Sequence, residues 1–144
     1  MLTSSAFADG QAIPEKYGCQ GENINPPLEF KEVPESAKSL ALIVDDPDAP
    51  AGDWVHWLVW NIKPQTTGID AASVPAGATK GKNDFGNNNY GGPCPPSGTH
   101  RYQFKLYALD AELNLPPATD KAALLKAMDS HILAQAQLTG AYSR

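Results

Sequence analysis

Three strand-length runs set the possibilities for this chain: SLALIVD at 39–45, WVHWLVWNI at 54–62 and HRYQFKLYAL at 100–109. The first is apolar almost without interruption, as expected of a strand buried on both faces. The second is β-branched and aromatic, again strand-like. No helical segment alternates with these runs, which argues against a doubly wound parallel sheet. The intervals are rich in glycine, proline and asparagine, above all GKNDFGNNNYGGPCPPSGT at 81–99. Such residues permit tight turns and close backbone approach. Only ATDKAALLKAMDSHILAQAQLTG, from Ala118 to Gly140, reads as helix. Thr119 or Asp120 would cap its start, Gly140 would follow its end, and Leu124, Leu125, Met128, Ile132 and Ala136 would form its apolar stripe. The sequence thus predicts one mainly β domain over 1–144. Its antiparallel, sandwich-like sheets carry peripheral helices, including a C-terminal amphipathic one.

Charge narrows the partners. Lysine and arginine number 11 against 16 acids, a net charge of −5, which argues against general nucleic-acid or anionic-membrane binding. No run approaches the roughly 18 apolar residues of a membrane span, so no integral membrane association is expected. The opening MLTSSAFADG lacks the basic and apolar regions of a secretory signal. The expected location is therefore cytoplasmic. In that setting Cys19 and Cys94 are expected as reduced thiols, with a loop-to-loop disulfide or a pocket-lining thiol as the alternatives.

The chemistry concentrates around DDPDAP at 45–50, where three carboxylates and two prolines occupy six positions. For Asp45 an Asx-turn is the expected role. Alternation along a strand places Trp54, His56, Leu58 and Trp60 on one face of the second run. In the third run it places His100, Tyr102, Phe104 and Leu106 on one face and Arg101, Gln103, Lys105 and Tyr107 on the other. His56 and His100 thus sit at strand ends that adjoin proline- and glycine-rich loops. His131 has no motif around it and is assigned no role.

The motifs DPDAP followed by HW, and PPSGTHRYQFKLY about fifty residues later, resemble the phosphatidylethanolamine-binding protein family, also called Raf kinase inhibitor protein-like. IPEKYGCQGENINPPLEF near the start extends the likeness to nearly the whole chain, and it is closest to the compact microbial branch. The resemblance implies an anion-binding pocket at one end of a sandwich-like core. It implies pocket roles for Asp46, Asp48, Trp54, His56, Tyr90, Pro95, Pro96, His100 and Tyr102, with no catalytic residue, metal or cofactor. Arg101, on the opposite face, is expected to anchor a loop or a carboxylate.

On this reading Asp46 or Asp48 backs His56, while His100, Tyr102 and backbone N–H groups of the glycine-rich loop meet the anion. The expected partners are a small anionic or phosphorylated ligand, a second copy of the chain in a homodimer and, within the family, an inhibited kinase or peptidase. Only AGD separates DPDAP from Trp54, where longer eukaryotic members use extra segments to contact or gate partners. Two alternatives come from other classes. One is a hydrolase, metal-assisted or not, using the Asp, His and Tyr groups. The other is a non-catalytic homodimer paired through WVHWLVW, with Trp57 and Val59 on the face away from His56.

Overall fold

A computed structural model describes all residues from Met1 to Arg144. The strands are β1 (Leu2–Thr3), β2 (Leu28–Phe30), β3 (Ser39–Asp46), β4 (Trp54–Ile62), β5 (Gly68–Ile69), β6 (Thr79–Lys80), β7 (Thr99–Leu109) and β8 (Ile132–Ser143), with one α-helix, α1 (Lys121–Met128), between β7 and β8. They form a five-stranded sheet in the order β6-β4-β3-β7-β8 and a three-stranded sheet, β1-β2-β5. Every pairing between these strands is antiparallel. The mainly β, sandwich-like class read from the sequence is the class observed.

The uninterrupted apolar character of β3 follows from its position. All eight of its residues are buried, because β4 and β7 flank it and both faces of the sheet are covered. On one face Val44, Trp57 and Phe104 pack with Leu2, Leu28, Phe30 and Ile69 of the small sheet. On the other Ile43, Leu58 and Trp60 pack beneath Leu124 and Met128 of α1. No helix is long and apolar enough to cross a membrane.

The structure corrects the reading of β4. Val44 pairs with Trp57, but Asp45 pairs with Val55, so His56 is the extra residue of a β-bulge. The bulge resets the alternation. Leu58 and Trp60 join Val55 on the α1 side, whereas His56 packs edge-on against Tyr102, whose ring belongs to the opposite core. Trp54, His56, Leu58 and Trp60 therefore do not share a face. Trp57 and Val59 are 1% and 0% exposed, so neither is free to pair as the sequence suggested.

The predicted long helix is also corrected. Asp120 caps α1 by accepting from the Ala123 N–H at 2.9 Å, and the helix stops at Met128. Ser130 then takes a positive φ of 70°, turning the chain into β8. That strand pairs with β7 from Ser143 opposite Thr99 to Ile132 opposite Leu109. Leu138, Gly140 and Tyr142 are buried and alternate with less buried neighbours, a period of two. Of the predicted stripe, Leu124 and Met128 are fully buried, while Leu125 and Ile132 are exposed.

Candidate functional site

The bulge that displaces His56 also builds the site, because it turns that imidazole toward the end of β7. There His56 and His100 both flank the Tyr102 ring. The His56–Tyr102 centroids lie 5.2 Å apart at 84°, and the His100–Tyr102 centroids 6.4 Å apart at 24°. The three side chains line a cavity of about 200 Å³ together with Asp46, Trp54, Pro95 and Pro96. Seven of the nine residues predicted for the site thus meet at one cavity. Its lining also includes Ala49, Pro50 and Phe85, which were not singled out for it, and Cys94, which was considered as a pocket-lining thiol.

Phe85 stands at the rim, 44% exposed, with its ring edge-on to Trp54 and His56. It sits among asparagines and glycines with no periodic neighbour, so the sequence carried no signal for it. A Cβ on Gly91 would meet the Phe85 ring, so glycine lets that ring close over the position.

Each imidazole is oriented through Nδ1. Asp46 Oδ2 lies 2.7 Å from His100 Nδ1, while Asp46 Oδ1 accepts the Asp48 N–H at 2.7 Å. This carboxylate is 3% exposed and both of its oxygens are engaged. His56 Nδ1 lies 2.6 Å from the Gly91 carbonyl oxygen, which can only accept, so Nδ1 carries the proton. The expectation that Asp46 or Asp48 backs His56 is therefore corrected: Asp46 backs His100, and a backbone carbonyl orients His56. Burial lowers the His56 pKa, against the opposing pull of the Gly91 carbonyl and the Asp45 and Asp46 charges. Burial raises the Tyr102 pKa, with the Asp46 carboxylate adding to it, so the phenol keeps its proton.

The two remaining predicted residues lie outside the cavity. Asp48 faces Arg101, which gives it Nε–H and Nη2–H bonds at 2.9 and 2.8 Å and its backbone N–H at 2.9 Å. These bonds hold the carboxyl at about 2, and they confirm Arg101 as the anchor of a carboxylate. Tyr90 packs edge-on to Trp57 and donates its hydroxyl to the Tyr17 carbonyl at 2.8 Å.

Asp45, expected in an Asx-turn, is instead the buried partner of Lys105 and Lys121, whose Nζ atoms lie 3.1 and 2.7 Å from Oδ2. The Asx-type contact belongs to Asp46. His131 bonds the exposed Asp110 at 2.7 Å, away from the cavity.

Two expectations about the glycine-rich loop fail. The Gly91 and Gly92 N–H groups are spent on the His56 carbonyl and on Asn23 Oδ1, at 3.0 and 2.8 Å, so they do not form an anion cradle. Gly92 lies so close to the Tyr17 carbonyl and Asn23 that a Cβ has no room. The close packing read from the glycines is against residues 17–23. Cys19 and Cys94 are joined in a disulfide across these two loops, 75 residues apart, and are not reduced thiols. No three His, Cys, Asp or Glu side chains are grouped as metal ligands.

Comparison with known proteins gives a consistent picture. The family model described as Phosphatidylethanolamine-binding protein matches residues 3–143. A UPF0098 protein of Methanothermobacter thermautotrophicus is 52% identical, over 99% of this chain and 98% of its own. The crystal structure of CT736 from Chlamydia trachomatis, described as a phosphatidylethanolamine-binding protein homolog, superposes with a TM-score of 0.96. It is 47% identical, and the match covers 99% of this chain and 96% of CT736. Escherichia coli YbcL, described as a member of the mammalian family, gives a TM-score of 0.94 at 33% identity, covering 100% of this chain and 98% of YbcL.

Proposed function

The chain belongs to the phosphatidylethanolamine-binding protein family, and from that premise we propose that it binds a small phosphoryl or other anionic group, without making or breaking bonds. The observation that carries this reading is the convergence of His56, His100 and Tyr102 on one small cavity, with Asp46 behind His100.

The hydrogen bonds determine how an anion is held. With both Nδ1 atoms committed, only the Nε2 atoms of the two histidines remain for a ligand. In a neutral imidazole that Nε2 is a lone pair, which repels an anion. Binding therefore requires a proton between Nε2 and the ligand oxygen, supplied by the imidazolium or by a phosphate monoanion. At His100 the Asp46 carboxylate on Nδ1 fixes the ring and leaves Nε2 for the ligand. The tryptophan and phenylalanine at the rim and the two prolines of the wall reduce competition from water.

Calorimetric titration of the protein with inorganic phosphate and with phosphoethanolamine tests this. The expected result is binding that weakens as the pH rises from about 6 to 8, the range in which imidazole and phosphate both lose protons. His100→Ala should weaken it further at every pH. An affinity independent of pH, or no binding of either compound, would overturn the reading.

A further inference from the structure

Pro95 and Pro96 form one wall of the cavity, yet they stand on the irregular segment 91–98, which belongs to neither sheet. That segment is held from outside. Cys19 N–H donates to the Pro93 carbonyl at 3.0 Å, Gly92 N–H donates to Asn23 Oδ1 at 2.8 Å, and the Cys19–Cys94 disulfide joins the same two loops. Of these ties only the disulfide reaches the residue next to Pro95, and Cys94 itself lines the cavity. We propose that the Cys19–Cys94 disulfide positions the proline wall, and that the cavity's affinity for phosphate-type anions consequently depends on its oxidation. The inference rests on the anion-binding reading above and adds its regulation.

The surroundings of the two sulfurs favour one direction of reduction by a dithiol. Cys19 is exposed, whereas Cys94 is half-buried, and the Arg144 Nη1 lies 3.3 Å from the Cys94 Sγ against 4.0 Å from the Cys19 Sγ. A dithiol thiolate attacks the accessible Cys19 sulfur, the S–S bond breaks, and Cys94 leaves as a thiolate beside the guanidinium. The second thiol of the reductant, losing its proton, then displaces Cys19 and closes the reductant's own disulfide. Two electrons and two protons pass in total to the protein, giving two cysteines.

Reduction acts on the anion through position: Pro95 and Pro96 lose the cross-link that adjoins them, on the wall of the cavity.

The test compares oxidised protein, protein reduced with dithiothreitol and desalted without oxygen, and reoxidised protein. It uses inorganic phosphate as the probe, with amide hydrogen exchange as a second readout. Reduction is expected to weaken phosphate binding threefold to tenfold, reversibly. It should speed exchange in 91–98 while β3 and β7 stay protected. The Cys19→Ser, Cys94→Ser double variant should show the faster exchange in either buffer and an affinity that dithiothreitol leaves unchanged. Equal affinity in the two redox states overturns the inference alone. So does exchange that rises through β3 and β7 together, which would make the disulfide a staple of the whole fold. Absence of phosphate binding by the oxidised protein overturns the anion-binding reading, and the affinity dependence with it.

Discussion

Asp45 and Asp46 are adjacent carboxylates with opposite duties, divided by the alternation of β3. Asp46 turns to the cavity and fixes His100, and Asp45 turns to Lys105 of β7 and Lys121 of α1. Asp46→Asn keeps the shape and removes the charged partner of the His100 ring. A charge-assisted hydrogen bond contributes roughly 1.5–3 kcal/mol, so phosphate affinity should fall about tenfold or more. Calorimetry at pH 6.5 measures this.

His56 predicts a different pH effect, on stability. Its folded-state pKa is lowered by burial, so on acidification the unfolded chain takes up this proton before the folded one does. Its contribution is therefore complete above about pH 6.5 and declines as the pH falls through that value. Urea unfolding at pH 7.5 and 5.0 should show the wild type losing more stability than His56→Gln across that interval. An equal loss in both would contradict a buried, neutral His56.

At the scale of elements, the sequence was legible where side-chain pattern and pairing agree. The run at 39–45 fell within β3, that at 54–62 coincided with β4, and that at 100–109 lay within β7. It misled where local propensity and tertiary pairing disagree. HILAQAQLTG is built of good helix formers, but β7 offers a full ladder, and pairing outweighs a propensity difference of a few tenths of a kcal/mol per residue. The alternation of Leu138, Gly140 and Tyr142 was the available signal. The bulge at His56 left no such trace, because an extra residue changes the facing of side chains without changing their type. Seven of the nine residues singled out meet at one cavity all the same, since the family motifs specify positions regardless of how the strand kinks.

The short α1 is held at its first turn by Lys121, which bridges Asp45 and Asp53. Burial works against the Lys121 charge and the two carboxylates outweigh it, leaving its pKa raised. Lys121→Met leaves the fully buried Asp45 with only Lys105, so denaturant unfolding should show a loss of about 1–3 kcal/mol.

Across the whole molecule, the five-stranded sheet separates two cores with different responsibilities. The core between the sheets contains Tyr102 and borders the cavity. The core under α1 contains Leu124 and Met128, both fully buried, and contributes no residue to the cavity. Leu124→Ala deletes packing in the second core and should cost about 2–5 kcal/mol of stability, as large-to-small core substitutions do. Its phosphate affinity should stay within about twofold of wild type, because the intervening sheet keeps its pairings and Asp46 keeps His100. Asp46→Asn should give the reverse: weakened binding with a smaller change in the unfolding midpoint. Measuring both quantities on both variants decides whether this sheet insulates the site from the helix. Should Leu124→Ala weaken phosphate binding as much as Asp46→Asn does, the two faces are mechanically coupled through β3, and the site has to be treated as a property of the entire sandwich.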